Sequence, residues 1–267
     1  MTAQTLQGLN VLVTRPWHQQ QALCDAIEIL GGRALSFPLI EIVPLDQVTD
    51  IENVKCKLNA LDKCQVLIFI SSNAAQFGAY WLSRCEVEIP ADVTVLAAGS
   101  STARTVSALL QCSVVHPEAG MTSEALLNLP QLKDINEKRV AIFRGVGGRE
   151  LLASTLTERG AHVDYLEVYQ RQSIEYGPDE LARLVDSEGI DVLTVTSAQA
   201  LERLNELASD NKAQLSLIPL IVPSARIAEL AKQKGFAHVR NANGADEHSL
   251  LTALEDLVGV ADTRDEG

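Results

Sequence analysis

Val66-Leu67-Ile68-Phe69-Ile70-Ser71-Ser72-Asn73 changes character partway along. An apolar, strand-type run stops at a cluster of hydroxyl and amide side chains, and a helical pattern follows. The same change recurs at Val11-Leu12-Val13-Thr14-Arg15-Pro16 and at Val95-Leu96-Ala97-Ala98-Gly99-Ser100-Ser101-Thr102. It appears again at Val140-Ala141-Ile142-Phe143-Arg144-Gly145 and Val192-Leu193-Thr194-Val195-Thr196-Ser197. Strands alternating with helices in this way predict parallel α/β layers. In such sheets the strand-to-helix junctions line one edge, where ligands bind. A helix start carries unpaired N–H groups and a partial positive charge, so each junction is a potential cradle for an anion. Ser, Thr and Asn are also the preferred N-caps, worth about 0.5–2 kcal/mol each, and capping alone accounts for any one junction. Only their number and their common edge favour a ligand with several negative charges.

The chain also repeats itself weakly. Val11 to Arg15 opens a unit whose helix ends at Gly31-Gly32, and Val140 to Arg144 opens another whose helix ends at Gly160. Ser71-Ser72-Asn73-Ala74 matches Thr196-Ser197-Ala198-Gln199, and Gly99 to Arg104 matches Pro223-Ser224-Ala225-Arg226. Self-similarity at so long a period indicates two related βα lobes rather than a solenoid. Gly31, Gly160 and Gly235 fit helix C′ positions. Asp46 to Lys63 and Met121 to Leu129 read as extra helices, and 261–267 as a disordered tail.

Composition narrows the chemistry. A chain of 267 residues is long enough for one large domain or two modest ones. Its net charge of -13 argues against nucleic acid and against an anionic membrane surface. Any positive potential must then be local, and Arg15, Arg144 and Arg149 sit where it is needed. A positive side chain opposes the dipole of a helix start, which suggests a bound anion; a salt bridge to a nearby acid explains it equally well. Five cysteines without a CxxC pair support neither a zinc ribbon nor a redox motif. The polar first residues and the lack of a long apolar stretch predict a soluble, reduced, cytoplasmic protein.

Familiar catalytic signatures are missing. Gly145-Val146-Gly147-Gly148-Arg149-Glu150 lacks the last glycine of a dinucleotide loop, and there is no GxxxxGK[ST] or GxSxG. The histidines never fall at ligand spacing, so no metal is expected. What remains is a reaction driven by binding, positioning and a weak acid. Tyr169 is the candidate acid. Strict alternation along Tyr165 to Arg171 puts Tyr165, Glu167, Tyr169 and Arg171 on one face. Tyr169 is read either as a proton donor or as a packed phenol with its hydroxyl satisfied.

These stretches together resemble the uroporphyrinogen-III synthases. The likeness is carried by Val13-Thr14-Arg15-Pro16, Ser71 to Ala74, Ala98 to Ala103, Thr122-Ser123-Glu124, Phe143-Arg144-Gly145, Gly147 to Leu152, Leu166-Glu167-Val168-Tyr169-Gln170-Arg171 and Val195-Thr196-Ser197. It runs from about Leu9 to Leu257. The resemblance implies two flavodoxin-like parallel-sheet lobes joined by a two-stranded β-ladder, with the substrate cleft between the lobes. One lobe would comprise 1–37 and 172–260, the other 43–165, and the ladder 38–42 and 166–171.

The implied substrate is hydroxymethylbilane, a linear tetrapyrrole with eight carboxylates. It would be closed, with loss of water and inversion of ring D, to uroporphyrinogen III. Pyrrole nitrogen electrons expel the hydroxyl, so no cofactor is implied, and Tyr169 matches the family's proton donor. Ser71, Ser72, Gly99, Thr102, Ser197 and Ser224 would bind carboxylates through backbone N–H groups and hydroxyls. Arg15, Arg144 and Arg149 would attract them. At Pro223-Ser224-Ala225-Arg226 the family often has a longer hydroxyl run, which leaves Ser224 the least supported member of the set. A monomer is the expected state, with transient contact with the preceding deaminase. Two other readings stand beside this one. The first is a non-catalytic, two-lobed regulatory protein that senses a tetrapyrrole or another polyanion. The second is a sugar-phosphate enzyme, for which the junctions supply almost no carboxylate or His base.

Overall fold

The computed structural model describes residues 5–118, 120, 122–148, 150–177, 179–208 and 212–262. In chain order the first elements are β1 (Asn10–Val13), α1 (Trp17–Ile29), β2 (Arg33–Ser36), β3 (Ile40–Pro44), α2 (Val48–Leu58), β4 (Val66–Phe69) and α3 (Ser72–Arg84). Then come β5 (Thr94–Ala97), α4 (Ser100–Leu110), α5 (Ser123–Leu127), β6 (Arg139–Gly145), α6 (Leu151–Glu158) and β7 (His162–Ser173). The last are α7 (Glu180–Glu188), β8 (Val192–Thr194), α8 (Ala198–Leu207), α9 (Lys212–Leu215), β9 (Leu220–Val222), α10 (Ala225–Gln233), β10 (Val239–Asn241) and α11 (Glu247–Asp262). The chain divides into two compact units, residues 1–41 with 172–267, and residues 42–171.

In the first unit the strand order is β10-β9-β8-β1-β2, and every pairing is parallel. Numbered along the chain, this is the 2-1-3-4-5 order of a flavodoxin-like sheet, with its topological switch between β1 and β8. Thr14 and Thr194 lock the switch. Thr14 Oγ1 donates to the Thr194 carbonyl at 2.5 Å, and Thr194 Oγ1 donates to the Leu12 carbonyl at 3.0 Å. Both threonines are buried, so these bonds satisfy hydroxyls that would otherwise destabilise the sheet.

The second sheet runs β3-β7-β6-β4-β5, and the β7–β6, β6–β4 and β4–β5 pairings are parallel. Its switch lies between β4 and β6. The boundaries between the units fall inside β3 and β7, which lie side by side at the sheet's edge. The α/β expectation therefore holds, with two parallel-dominated sheets.

Local chemistry explains the boundaries. Ser71, Ser197 and Ser224 are N-caps whose hydroxyls accept from the backbone N–H groups of Ala74, Ala200 and Ile227. Gly31, Gly160 and Gly235 all take left-handed φ just after a helix, as a C′ residue should. The expected helix over Asp46 to Lys63 is α2 followed by a short 3₁₀ turn at Leu61–Lys63. The helix expected from Met121 shrinks to Ser123–Leu127 because Thr122 caps it, accepting from the Ala125 N–H; Met121 lies outside the described residues. The expected tail at 261–267 overlaps the end of the last helix. Helix α11 is anchored by buried Leu250, Ala253 and Leu254 and continues through Asp262, while 263–267 lie outside the described residues.

Strict alternation along β7 fails. Arg144 pairs with Glu167 but Gly145 pairs with Tyr169, so Val168 is the extra residue of a β-bulge. Tyr165 stays on the face that packs against Ile142 and Leu152. Val168 and Tyr169 turn together to the opposite face, against Phe69, Phe143 and Phe77. Trp81 of α3 stands at this bulge, its Nε1 donating to the Val168 carbonyl at 2.8 Å. Trp81→Phe leaves that carbonyl buried without its donor. We expect a stability loss of about 1–3 kcal/mol, seen as a lower urea midpoint.

Candidate active site

The carboxyl edge of the second sheet gathers most of the residues singled out in the sequence. Helices α3 and α4 both begin there, following β4 and β5. In α3 the Ser71 hydroxyl accepts from the Ala74 N–H at 3.1 Å, and the Ser71 carbonyl accepts from the Ala75 N–H. The Ser72 N–H stands ahead of the helix's own bonds. Helix α4 starts from Gly99, which has no side chain to cap it. The first intrahelical bond runs from the Ala103 N–H to the Gly99 carbonyl. The N–H groups of Ser100, Ser101 and Thr102 precede it, and Thr102 is buried. Gly99 is thus the cap residue, and the donors a ligand would meet are those of the residues after it.

Tyr169 closes the switch point between β4 and β6. Its ring is 1% exposed, tilted against Phe77 with centroids 5.4 Å apart. Its hydroxyl lies 3.5 Å from Ser71 Oγ and 3.5 Å from Nη2 of Arg171. Both contacts are at the limit of hydrogen bonding, so the phenol is held by its ring and its proton is weakly committed. Gly145 makes this placement possible. A Cβ on Gly145 would stand 2.5 Å from Cε2 and 2.6 Å from Cζ of Tyr169.

Arg144 differs from a surface attractor. It is 2% exposed, and its Nε donates to the Gly145 carbonyl at 3.2 Å, while Nη2 donates to the Gly147 carbonyl. Its guanidinium lies over the Tyr165 ring, 4.3 Å from the centroid. The loop is held from the other side by Glu167, whose Oε1 accepts from the Gly147 N–H at 3.1 Å. Burial pushes the Tyr165 pKa up, Glu150 and Glu167 add to the rise, and Arg144 opposes it. Arg149 lies outside the described residues. A cavity of about 220 Å³ lies among Ile70, Ala98, Arg144, Gly145, Tyr165 and Tyr169. It wraps round the end of β6 and so meets both tyrosines despite the bulge.

In the first unit, Arg15, Ser197 and Ser224 follow β1, β8 and β9 on the corresponding carboxyl edge. The two serines cap α8 and α10 through 3.0 and 3.4 Å bonds. Arg15 is half-buried, and its Nε has no partner. Burial lowers its pKa, and the carboxylates of Asp246 and Glu247 resist that fall. A larger groove of about 1200 Å³ in this unit is lined by Trp17, Phe37, Tyr176, Glu41, Glu180 and Asp186, among others. Its carboxylates have the wrong sign for a polyanion, and neither Arg15 nor the two cap serines line it.

Sequence reading missed Tyr165 and Gly145 as site residues. Strict alternation puts Tyr165 and Tyr169 on one face, whereas the bulge carries Tyr169 to the other, and Gly145 enters the sequence only as part of an incomplete dinucleotide loop. The bulge carries no sequence signal that would have separated them.

Two flavodoxin-like sheets, each with helices starting at its carboxyl edge, define an α/β protein of doubly wound type. A family model described as uroporphyrinogen-III synthase HemD matches residues 21–252. The uroporphyrinogen-III synthase of Salmonella typhimurium is 35% identical over 249 residues, covering 92% of this chain and 100% of that one. The Escherichia coli enzyme of the same name is 34% identical over the same share of each. Among solved structures, uroporphyrinogen III synthase from Thermus thermophilus matches with a TM-score of 0.57 at 19% identity, covering 92% of this chain and 97% of its own. The Helicobacter pylori enzyme gives 0.56 at 16% identity, covering 94% and 100%. The chain belongs to the uroporphyrinogen-III synthase family, cyclising lyases of porphyrin biosynthesis. The resemblance in the sequence is borne out. Among the described residues no helix is long and apolar enough to cross a membrane.

Proposed function

We propose that this chain closes hydroxymethylbilane to uroporphyrinogen III, with Tyr169 as the proton donor. The observation that carries the reading is the family match, which runs from residue 21 to 252 and so takes in most of both units. The terminal hydroxyl leaves ring A as water. The pyrrole nitrogen pair breaks the C–O bond while the Tyr169 hydroxyl supplies the proton. The azafulvene-type cation is attacked by ring D at its substituted carbon, giving the spiro intermediate that rearranges and closes. A proton lost on closure restores the tyrosine. The donor needs no unusual acidity, because the leaving group is pushed out by the pyrrole.

Carboxylates are held by N–H groups that follow Ser71, Gly99, Ser197 and Ser224, with Ser72 and Thr102 among them. Arg15 and Arg149 add long-range attraction. The protein works as a monomer in the cytoplasm and receives its substrate through transient contact with the deaminase that makes it. We see no observation that favours a regulatory protein over an enzyme.

Hydroxymethylbilane generated in situ, incubated with the protein, oxidised and resolved by chromatography decides the reading. Isomer III is expected; isomer I alone would remove the assignment. Because backbone donors tolerate side-chain change, Ser72→Ala should reduce turnover less than tenfold by the same assay. A thousandfold loss would show that the side chain, rather than the main chain, does the holding.

A further inference from the structure

The cavity at the end of β6 is walled by Ile70, Ala98, Leu126, Ile142 and Leu152. Two polar groups in it are not accounted for by the fold. The first is the Arg144 guanidinium. A buried charge is normally paired with an opposite one. Arg144 instead meets two carbonyls and the face of Tyr165, and among the described residues no carboxylate forms an ion pair with it. The chain carries a net charge of -13, so acids are not scarce. The second is the Tyr165 hydroxyl. Its oxygen is buried with no acceptor in reach among the described residues; the neighbouring Arg144 guanidinium can only donate to it, so the phenol's own proton is unspent, although a buried phenol ordinarily finds an acceptor. An unpaired cation stacked on a phenol with an unspent donor is complementary to a carboxylate.

We propose that this cavity receives one carboxylate-bearing arm of the tetrapyrrole, with the Tyr165 hydroxyl donating to the carboxylate and Arg144 supplying the counter-charge. The inference rests on the reading that Tyr169, which lines the same cavity, faces the substrate. A volume of about 220 Å³ is too small for a tetrapyrrole and ample for one carboxymethyl or carboxyethyl arm. The apolar walls accept the methylene carbons, and the polar groups fix the end. The arm would thereby anchor the pyrrole that carries it beside the Tyr169 hydroxyl. Tyr165 is a binding residue in this scheme, and Arg144 has two duties, since its other N–H groups hold the loop at Gly145 and Gly147.

Tyr165→Phe tests this, because it removes a hydroxyl that donates to nothing among the described residues. The thermal midpoint should be unchanged or higher. The KM for hydroxymethylbilane and the inhibition constant of uroporphyrinogen III, measured anaerobically, should each rise about tenfold or more, as expected for loss of a hydrogen bond to a charged group. Turnover at saturation should stay within about twofold, and isomer III should remain the product. Unchanged KM and inhibition constants would overturn the proposal, as would a lowered midpoint with binding intact, which would assign the hydroxyl to the fold. Failure of the functional reading looks different, since the unaltered protein would then yield isomer I alone.

Discussion

Tyr169→Phe should lower kcat about a hundredfold and leave KM within a factor of three. The substitution spares the packing. The ring sits between Phe77 and the bare backbone of Gly145, and a phenylalanine ring fills the same space. The hydroxyl is bonded only at the 3.5 Å limit to Ser71 and Arg171, so its loss costs little stability. On the proposed role of Tyr169, what disappears is a proton for the departing hydroxyl, and general acids of this kind contribute roughly 10²–10⁴ to the rate. The lower end applies here, because the pyrrole nitrogen already drives the bond to break. Chemistry without the enzyme gives the unflipped isomer, so a slower variant also loses ground to spontaneous closure. The isomer I fraction should therefore rise at low enzyme concentration and fall again as more variant is added. A kcat within threefold of the unaltered protein would remove Tyr169 as the donor and return it to packing.

The parts of this picture legible in the sequence are those governed by local chemistry. Ser71, Ser197 and Ser224 announce helix starts because a hydroxyl beside an apolar run has one good use, and the structure finds each of them capping. The strand runs before them are buried, as continuous Val, Leu and Ile predict for parallel sheets. Arg144 was legible as a residue but not as an environment. From the sequence it is a cation at a junction; in the fold it is buried, held by its own loop and laid on Tyr165. That arrangement depends on a partner 21 positions away along the chain, and no local pattern encodes it. The β7 bulge is the clearest loss. Alternation is a rule for regular strands, and one extra residue at Val168 reverses the facing of everything after it. Tyr165 and Tyr169 thereby pack on opposite faces, yet they meet one cavity because it lies at the strand's end.

Gly145→Ala should be nearly as damaging to turnover as loss of the hydroxyl itself, and for a reason that can be separated from it. The bulge makes Gly145 the direct register partner of Tyr169. An added methyl would stand 2.5 Å from Cε2, 2.6 Å from Cζ and 3.0 Å from Cδ2 of the ring. A ring that is 1% exposed has no free space to retreat into, so either the ring tilts or the strands part. Overpacking of this sort costs about 1–3 kcal/mol of stability, visible as a lower urea midpoint. Moving the hydroxyl by about 1 Å is enough to cost about a hundredfold in rate. The two effects respond differently to a second substitution. In a Tyr169→Phe background the alanine still collides with a ring, so the stability loss should persist. The rate loss should not, because the hydroxyl that the collision displaces is already gone. The double variant should accordingly show the kcat of Tyr169→Phe to within about threefold, a strongly non-additive result. Additive rate losses would mean that Gly145 serves the reaction by a route other than the placement of Tyr169.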